Sequence, residues 1–212
     1  MDRPKGKVAG ILLAAGASTR MGRTKQLMSI EGETLIERVL GQILASDLDS
    51  VIVVLGYQAK EIQGAIAPRL SQTRVRLVEN CNYRAGISTS IAAGIGAVEE
   101  THDYAMIFLA DMPCVPSNMI NQLCRRCLAS GLPIGATRET DRPAHPVMFS
   151  RTLFPELKGL KGDVGARSLL KKYRGSVCLV EPEGTYSSLD IDTPEAYADF
   201  ERMNVQHRMK GK

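Results

Sequence analysis

Apolar and polar positions along this chain recur in two periods, and together they predict strands alternating with helices over its first two thirds. Residues 8–14 (V-A-G-I-L-L-A) are a short continuous apolar run bounded by turn residues, the pattern of a strand buried on both faces of a parallel sheet. Residues 34–45 place Leu35, Ile36, Val39, Leu40, Ile43 and Leu44 on one face of a helix. A second buried strand follows over residues 50–55 and is closed by Gly56. The pattern then predicts a helix over 61–70 and a third strand over 75–79. Small residues at helical spacing across 88–99 predict a helix lying close on the sheet. Residues 104–110 (Y-A-M-I-F-L-A) make a fourth strand, residues 119–129 a helix, and residues 132–136 a fifth strand.

Such alternation implies right-handed βαβ units, hence an α/β fold with a Rossmann-like, mostly parallel, doubly wound sheet. Ligands of these sheets bind outside the carboxyl ends of the strands. From Arg138 onward the texture changes to short runs, three prolines (Pro143, Pro146, Pro155) and the loop G159-L-K-G-D-V-G165. This predicts a small strand-and-loop elaboration of the same domain. One domain over 1–212 then comprises a core of about 1–136, the elaboration and a closing helix over about 137–203, and a tail over 204–212. A length of 212 residues suits one substantial core.

Composition narrows the classes. Hydrophobic content of 44% and charged content of 24% are ordinary for a globular protein, and no apolar run approaches the ~20 residues of a membrane span. The first residues, M-D-R-P-K-G-K, lack the apolar core of a secretory signal, so the cytoplasm is the expected location. A net charge of +4 suits anionic small substrates, and no basic stripe interleaved with aromatics points to nucleic acid. Five scattered cysteines argue against a disulfide framework. Cys124 and Cys127 have redox or metal spacing, but they fall within a helical pattern and read as core.

The first strand runs into L13-A-A-G-A-S-T-R-M-G-R-T-K25. Small residues leave room for a ligand beside the main chain, backbone N–H groups in such a loop cradle phosphate oxygens, and Arg20 and Lys25 supply cations. In outline this is a nucleoside-triphosphate site, without the dinucleotide or P-loop fingerprint. Asp111, after the fourth strand and before Pro113, points into the strand-end crevice as a Mg²⁺ ligand or caps the turn. Asp190 and Asp192 share one side of an extended segment, and Thr193-Pro194-Glu195 reads as a helix start. Ser88, Thr89 and Ser90 sit in the first turn of a helix, as N-caps or as ligand contacts. Asn80 and Asn82 precede them.

The first loop resembles the L-A-A-G-x-x-x-R-M-G-x-x-K signature of GT-A-type nucleotidyltransferases, the MobA-like NTP transferase family. S90-I-A-A-G94 resembles the S-[VIL]-x-x-G stretch of cytidylyltransferases. D190-I-D-T-P-E195 is similar to the [DN]-x-[DN]-T-P-E-[DE] ending of molybdenum-cofactor nucleotidyltransferases, with Ala196 departing from its last position. G162-D-V-G-A-R167 resembles the G-D-x-G-A-R loop of the cytidylyl-transferring members. H145-P-V-M-F149 resembles their [GH]-x-P-[VAT]-L-F segment with one residue fewer before the proline. Ala14-Ala15 stands where guanylyl-transferring relatives carry glycine.

The resemblance implies an enzyme that moves CMP from CTP to a phosphate-bearing acceptor, most naturally molybdenum cofactor, with Mg²⁺ and release of pyrophosphate. It implies nucleotide contacts from Leu13, Ala14, Ala15, Gly16, Ser18, Arg20, Lys25, Asn80, Ser88, Ser90 and Asp111, with Arg20, Lys25 and Asp111 catalytic. Asp111 and Asp192 would hold the metal, and His145, Asp163, Arg167 and Asp190 would meet the acceptor. The product would serve a molybdenum hydroxylase or its maturation factor. Rival readings are a methylerythritol-phosphate cytidylyltransferase, a molybdenum-cofactor guanylyltransferase and a non-catalytic cofactor-binding assembly factor.

Overall fold

The computed structural model describes residues 6–17, 24–72, 74–139, 142–183, 186–187, 189–193 and 195–202. Its centre is a seven-stranded sheet built from β1 (Val8–Ala14), β4 (Ser50–Leu55), β5 (Val75–Glu79), β6 (Tyr104–Leu109), β7 (Ile134–Glu139), β8 (Arg142–Ser150) and β9 (Val177–Val180). The strand order is β5-β4-β1-β6-β8-β7-β9. Strands β5, β4, β1 and β6 run parallel, β8 is antiparallel to both β6 and β7, and β9 is parallel to β7. A two-stranded ribbon of β2 (Ser29–Ile30) and β3 (Glu33–Thr34) stands apart.

All seven residues of β1 are buried. Val8, Leu12 and Ala14 join the apolar cluster on one face of the sheet, whereas Ala9, Ile11 and Leu13 join the cluster on the other. Burial on both faces is why the run is apolar without alternation. On the first face lie α1 (Leu35–Leu44), α2 (Ala59–Ile66) and α4 (Ser117–Ser130); on the second lie α3 (Ile87–Gly96), α5 (Phe154–Lys158) and α6 (Arg167–Lys172). Thr34 caps α1 in a capping box with Glu37, so this helix begins one residue after the predicted start. Small residues bring α3 close to the sheet as predicted: a side chain at Gly94 would meet Ile11 Cγ2 at 2.4 Å.

The predicted fifth strand is β7, and the strands after it join the main sheet: β8 and β9 extend it, and β8 lies in its interior. Prolines disguised β8, because a residue without an N–H is a poor member of an interior strand. The structure accommodates both. Pairing with β6 ends at Ile107↔Val147, so Pro143 has a neighbour strand on one side only. Pro146 falls in the register shift between Ala136↔Val147 and Thr137↔Ala144.

A third apolar cluster closes the chain. Ile191 and Phe200, the latter on a helix over residues 195–202, pack against Met28, Ile30 and Leu35. Tyr197 donates a 2.6 Å hydrogen bond to the Ser29 carbonyl, and Arg38 lies over the Phe200 ring. Cys124 and Cys127 face the core of α4, and burial pushes the Cys127 thiol up to about 12, so it is an inert thiol. Among the described residues no helix is long and apolar enough to cross a membrane.

Candidate active site

A cleft of about 610 Å³ opens at the carboxyl ends of β1, β4 and β6. Leu13, Ala15, Gly16 and Ala17 of the first loop form one wall, and Lys25 and Gln26 continue it. The buried Gln26 amide donates to the Gly16 carbonyl at 3.1 Å and so latches the loop. Facing it are Ile87 and Ser90 of α3, with Asp111 on the floor and Asp163 on the far rim.

The anchor of the site is a three-residue ion cluster. Lys25 Nζ lies 2.5 Å from Asp111 Oδ2 and also binds Asp192 Oδ1. Three distant segments meet here for traceable reasons. Asp111 directly follows β6, where Ala110 N–H donates to the Leu13 carbonyl at 3.2 Å. The buried Ile191 donates its N–H to the Asp111 carbonyl at 2.9 Å, which carries Asp192 to the same place. Thr193 caps the following helix, accepting from Ala196 N–H at 3.2 Å.

Electrostatics hold the cluster together. Burial pushes the Asp111 carboxyl up, Lys25 pulls it back, and Asp192 adds to the rise. Burial opposes the Lys25 charge as well, yet the Asp111 and Asp192 carboxylates outweigh it and raise the ammonium above its ordinary range. Lys25 therefore remains a cation between two carboxylates. Among the described residues, the buried Oδ1 of Asp111 has no hydrogen-bond partner. A divalent cation fits this set: two hard carboxylate oxygens at a cleft, one of them an uncompensated acceptor, with phosphate and water left to complete the shell.

Not every predicted contact lines the cleft. Leu13, Ala15, Gly16, Lys25, Ser90 and Asp111 do. Ala14 points into the core with no exposure. Asn80 is buried and donates to Thr89 Oγ1 at 2.9 Å and to Ser90 Oγ at 3.0 Å, so it supports Ser90 from behind. Ser88 is buried, and its N–H binds the Gly162 carbonyl at 3.2 Å. Ser18 and Arg20 lie outside the described residues.

Of the four proposed acceptor contacts, Asp163 lines the cleft and Arg167 a neighbouring groove, while Asp190 is exposed and lines neither. His145 is placed otherwise. It is 6% exposed, its Nδ1 faces the Ile107 carbonyl, and burial with help from Arg167 lowers its pKa to about 4. It sits as a neutral ring inside the fold.

The loop carrying Asp163 is docked by Gly86. Its φ is +107°, and a Cβ there would meet Gly162 backbone at 2.2 Å, so both the conformation and the close approach require glycine. Among the cleft residues that escaped sequence reasoning are Gln26, Ile87, Tyr57, Tyr83 and Arg84. The tyrosine rings are 6.4 Å apart and tilted, with the Arg84 guanidinium over Tyr83. Tyr57 follows β4 after one glycine, so the strand-end rule applied to β4 would have found it. No comparable signal marked Tyr83 or Arg84.

Comparison with known proteins fits this geometry. The family model of the MobA-like NTP transferase domain matches residues 10–177. The chain belongs to that family. It is 34% identical to purine catabolism protein PucB of Bacillus subtilis, over 89% of this chain and 93% of that protein. It is 29% identical to nicotine blue oxidoreductase of Paenarthrobacter nicotinovorans (89% and 93% covered) and 27% identical to molybdenum cofactor cytidylyltransferase of Escherichia coli (88% and 92% covered). Among solved structures, Rv0371c of Mycobacterium tuberculosis in complex with manganese superposes with a TM-score of 0.74 at 30% identity, covering 92% of this chain and 98% of that one. The chain is thus a nucleotidyltransferase of the MobA-like family, and a related structure holds a divalent metal.

Proposed function

We propose that this nucleotidyltransferase moves CMP from CTP to a phosphate-bearing acceptor, molybdenum cofactor being the acceptor that its motifs favour. The observation that carries the reading is the Asp111–Lys25–Asp192 cluster on the cleft floor, with its uncompensated buried carboxylate oxygen. An acceptor phosphate oxygen forms a bond to the α-phosphorus of CTP, the bond from that phosphorus to the bridging oxygen breaks, and pyrophosphate leaves with the electron pair. The protein supplies no nucleophile; positioning and charge stabilisation carry such transfers. Lys25 is placed to turn from the carboxylates to the triphosphate, and Asp111 and Asp192 would then hold Mg²⁺. A bound Mg²⁺ neutralises charge on the phosphate oxygens and orients the leaving pyrophosphate.

Base choice rests on weaker contacts. Ser90 in the cleft, braced by Asn80, offers a hydroxyl to a pyrimidine edge, and Ala15 keeps the loop narrow beside it. The similarity to an oxidoreductase carries no separate reading, since one fold hosts many chemistries and the ion cluster suits phosphate transfer. Pyrophosphate release with each of CTP, GTP, ATP and UTP, with and without molybdenum cofactor, is the test. Turnover with CTP that depends on the cofactor is expected. Turnover with GTP in its place, or with a sugar phosphate as acceptor, would overturn the assignment.

A further inference from the structure

Lys25 and Asp192 meet at the cleft, and each stands in sequence close to a member of one small apolar cluster. Met28 follows Lys25 within a turn, and Ile191 directly precedes Asp192. Both are buried in the third cluster with Ile30, Leu35 and Phe200, apart from the two clusters that cover the faces of the main sheet. The ion pair therefore has its own apolar support behind it.

The two carboxylates of the site are held in different ways. Asp111 comes from the end of β6, and its side chain is 14% exposed, against 38% for Asp192. Asp192 lies on a segment outside the sheet. Before it, Tyr186 donates to the His145 carbonyl, Ser187 N–H reaches the Cys114 carbonyl at 3.5 Å, and Ile191 N–H reaches the Asp111 carbonyl. After it, the helix over 195–202 rests on the ribbon that follows Lys25, through Tyr197 on the Ser29 carbonyl and Phe200 under the Arg38 guanidinium at 5.5 Å. A satellite cluster with few buried apolar side chains opens at lower cost than the main core.

We propose that Ile191 and Phe200 are positioning residues of the transferase. By packing against Met28, Ile30 and Leu35 they set Asp192 opposite Asp111, so the divalent-metal site is complete only while the closing helix is docked on the β2–β3 ribbon. The proposal rests on the transferase reading, which makes Asp192 a metal ligand, and adds that this second ligand arrives on a separable segment. Coordination tolerates little displacement, and a carboxylate moved by about 1 Å no longer serves. Phe200 thus acts on the metal through Asp192, without touching it.

The test follows Mn²⁺ alone by electron paramagnetic resonance of the free ion. Lys25→Met is the host protein, so that no ammonium stands between the carboxylates. Adding Phe200→Ala should weaken Mn²⁺ binding by about tenfold, the scale of losing a group that orients a metal ligand. In a host that also carries Asp192→Asn, Phe200→Ala should change nothing, because the ligand it would misplace is gone. Phe200→Leu, which keeps an apolar side chain, should restore most of the affinity. Circular dichroism controls for folding. Should Phe200→Ala impair it, Tyr197→Phe removes only the bond to Ser29 and should give a smaller loss that again vanishes with Asp192→Asn. Unchanged affinity in these variants, or an equal loss with and without Asp192, overturns the proposal and leaves the transferase reading standing. A host that binds no Mn²⁺ removes the metal role of both carboxylates and the proposal with it. In the enzyme with Lys25 intact, Phe200→Ala should raise the Mg²⁺ needed for half-maximal pyrophosphate release and leave the CTP KM at saturating Mg²⁺ alone.

Discussion

The nucleotide cleft and the basic groove share one sheet edge, yet they are built in opposite ways. In the cleft the charges are interlocked: Lys25 and Asp111 are 13% and 14% exposed, and Asp192 is drawn in by the buried Ile191. In the groove between the start of β8, the end of β7, β9 and α6 the charges are exposed and, among the described residues, have no ion-pair partner: Arg167 and Lys171 stand on α6, Arg174 just after it and Arg142 at the start of β8. The difference teaches where each half keeps its specificity. A buried ion cluster is costly to rearrange and suits a step common to all turnovers. Exposed cations cost little to vary and suit a substrate that differs between relatives.

The sharpest way to break that comparison is to remove one carboxylate. Asp111→Asn and Asp192→Asn should each lower kcat roughly a hundredfold or more, the scale of losing one preorganised transition-state contact. The double variant should be little worse than the poorer single one, because residues that act as a unit are non-additive. Steady-state rates with circular dichroism as a folding control give the answer. Costs that multiply would make the two carboxylates independent and dissolve the cluster.

Lys25 sharpens the contrast from the cation side. Lys25→Met should also cut kcat roughly a hundredfold. In the absence of nucleotide it should instead tighten Mn²⁺ binding, since an ammonium no longer occupies the space between Asp111 and Asp192. Electron paramagnetic resonance of free Mn²⁺ reads this directly. Weaker Mn²⁺ binding in the variant would show that Lys25 assists the metal rather than standing in its place.

Legibility in the sequence follows the same divide. The strands β1, β4 and β5 matched prediction to the residue; in β1 and β4 burial on both faces leaves an uninterrupted apolar run, whereas β5 is the edge strand and keeps Arg76 and Glu79 within its run. The close seat of α3 was readable from small residues, and Gly94 against Ile11 is its physical form. Asp111 and Asp192 were predicted as a pair, but the bridging position of Lys25 was not, since only the tertiary hydrogen bond from Ile191 to Asp111 creates it. Beyond Ala136 the signal failed. Two prolines concealed β8, whose register shift is a tertiary accommodation that no local propensity records. Tyr83 and Arg84 reach the cleft through a short turn without strand or helix periodicity.

His145 lies under the boundary between the halves and offers a test by pH. Its folded-state pKa is lowered to about 4, so the native ring is neutral while the unfolded chain takes up a proton near pH ~6.5. The stabilising contribution is full above about 6.5 and is lost as pH falls toward 4, by at most about 3 kcal/mol. Urea unfolding of the parent and of His145→Gln between pH 7 and pH 4 should show a shallower pH dependence in the variant. Equal slopes would mean that the ring is hydrated and accessible, returning it to the list of acceptor contacts.

The smallest effect belongs to Asn80, which never touches the cleft. Its amide donates to Thr89 and to Ser90, and its own Oδ1 accepts the Asn82 N–H at 3.0 Å, so it fixes the start of α3 from behind. Removing the amide leaves the Ser90 hydroxyl free to choose other rotamers. A net hydrogen bond is worth about 0.5–1.5 kcal/mol, which converts to roughly a two- to tenfold change in an equilibrium constant. Asn80→Ala should therefore raise the CTP KM several-fold, lower kcat little, and leave the acceptor KM unchanged. Asn80→Asp tests the same point through charge: it keeps the acceptor oxygen for Asn82 but loses the donor to Ser90, and should resemble alanine in its CTP KM. A rise in the acceptor KM of either variant would mean that α3 serves both halves. Cleft and groove would then form one continuous site.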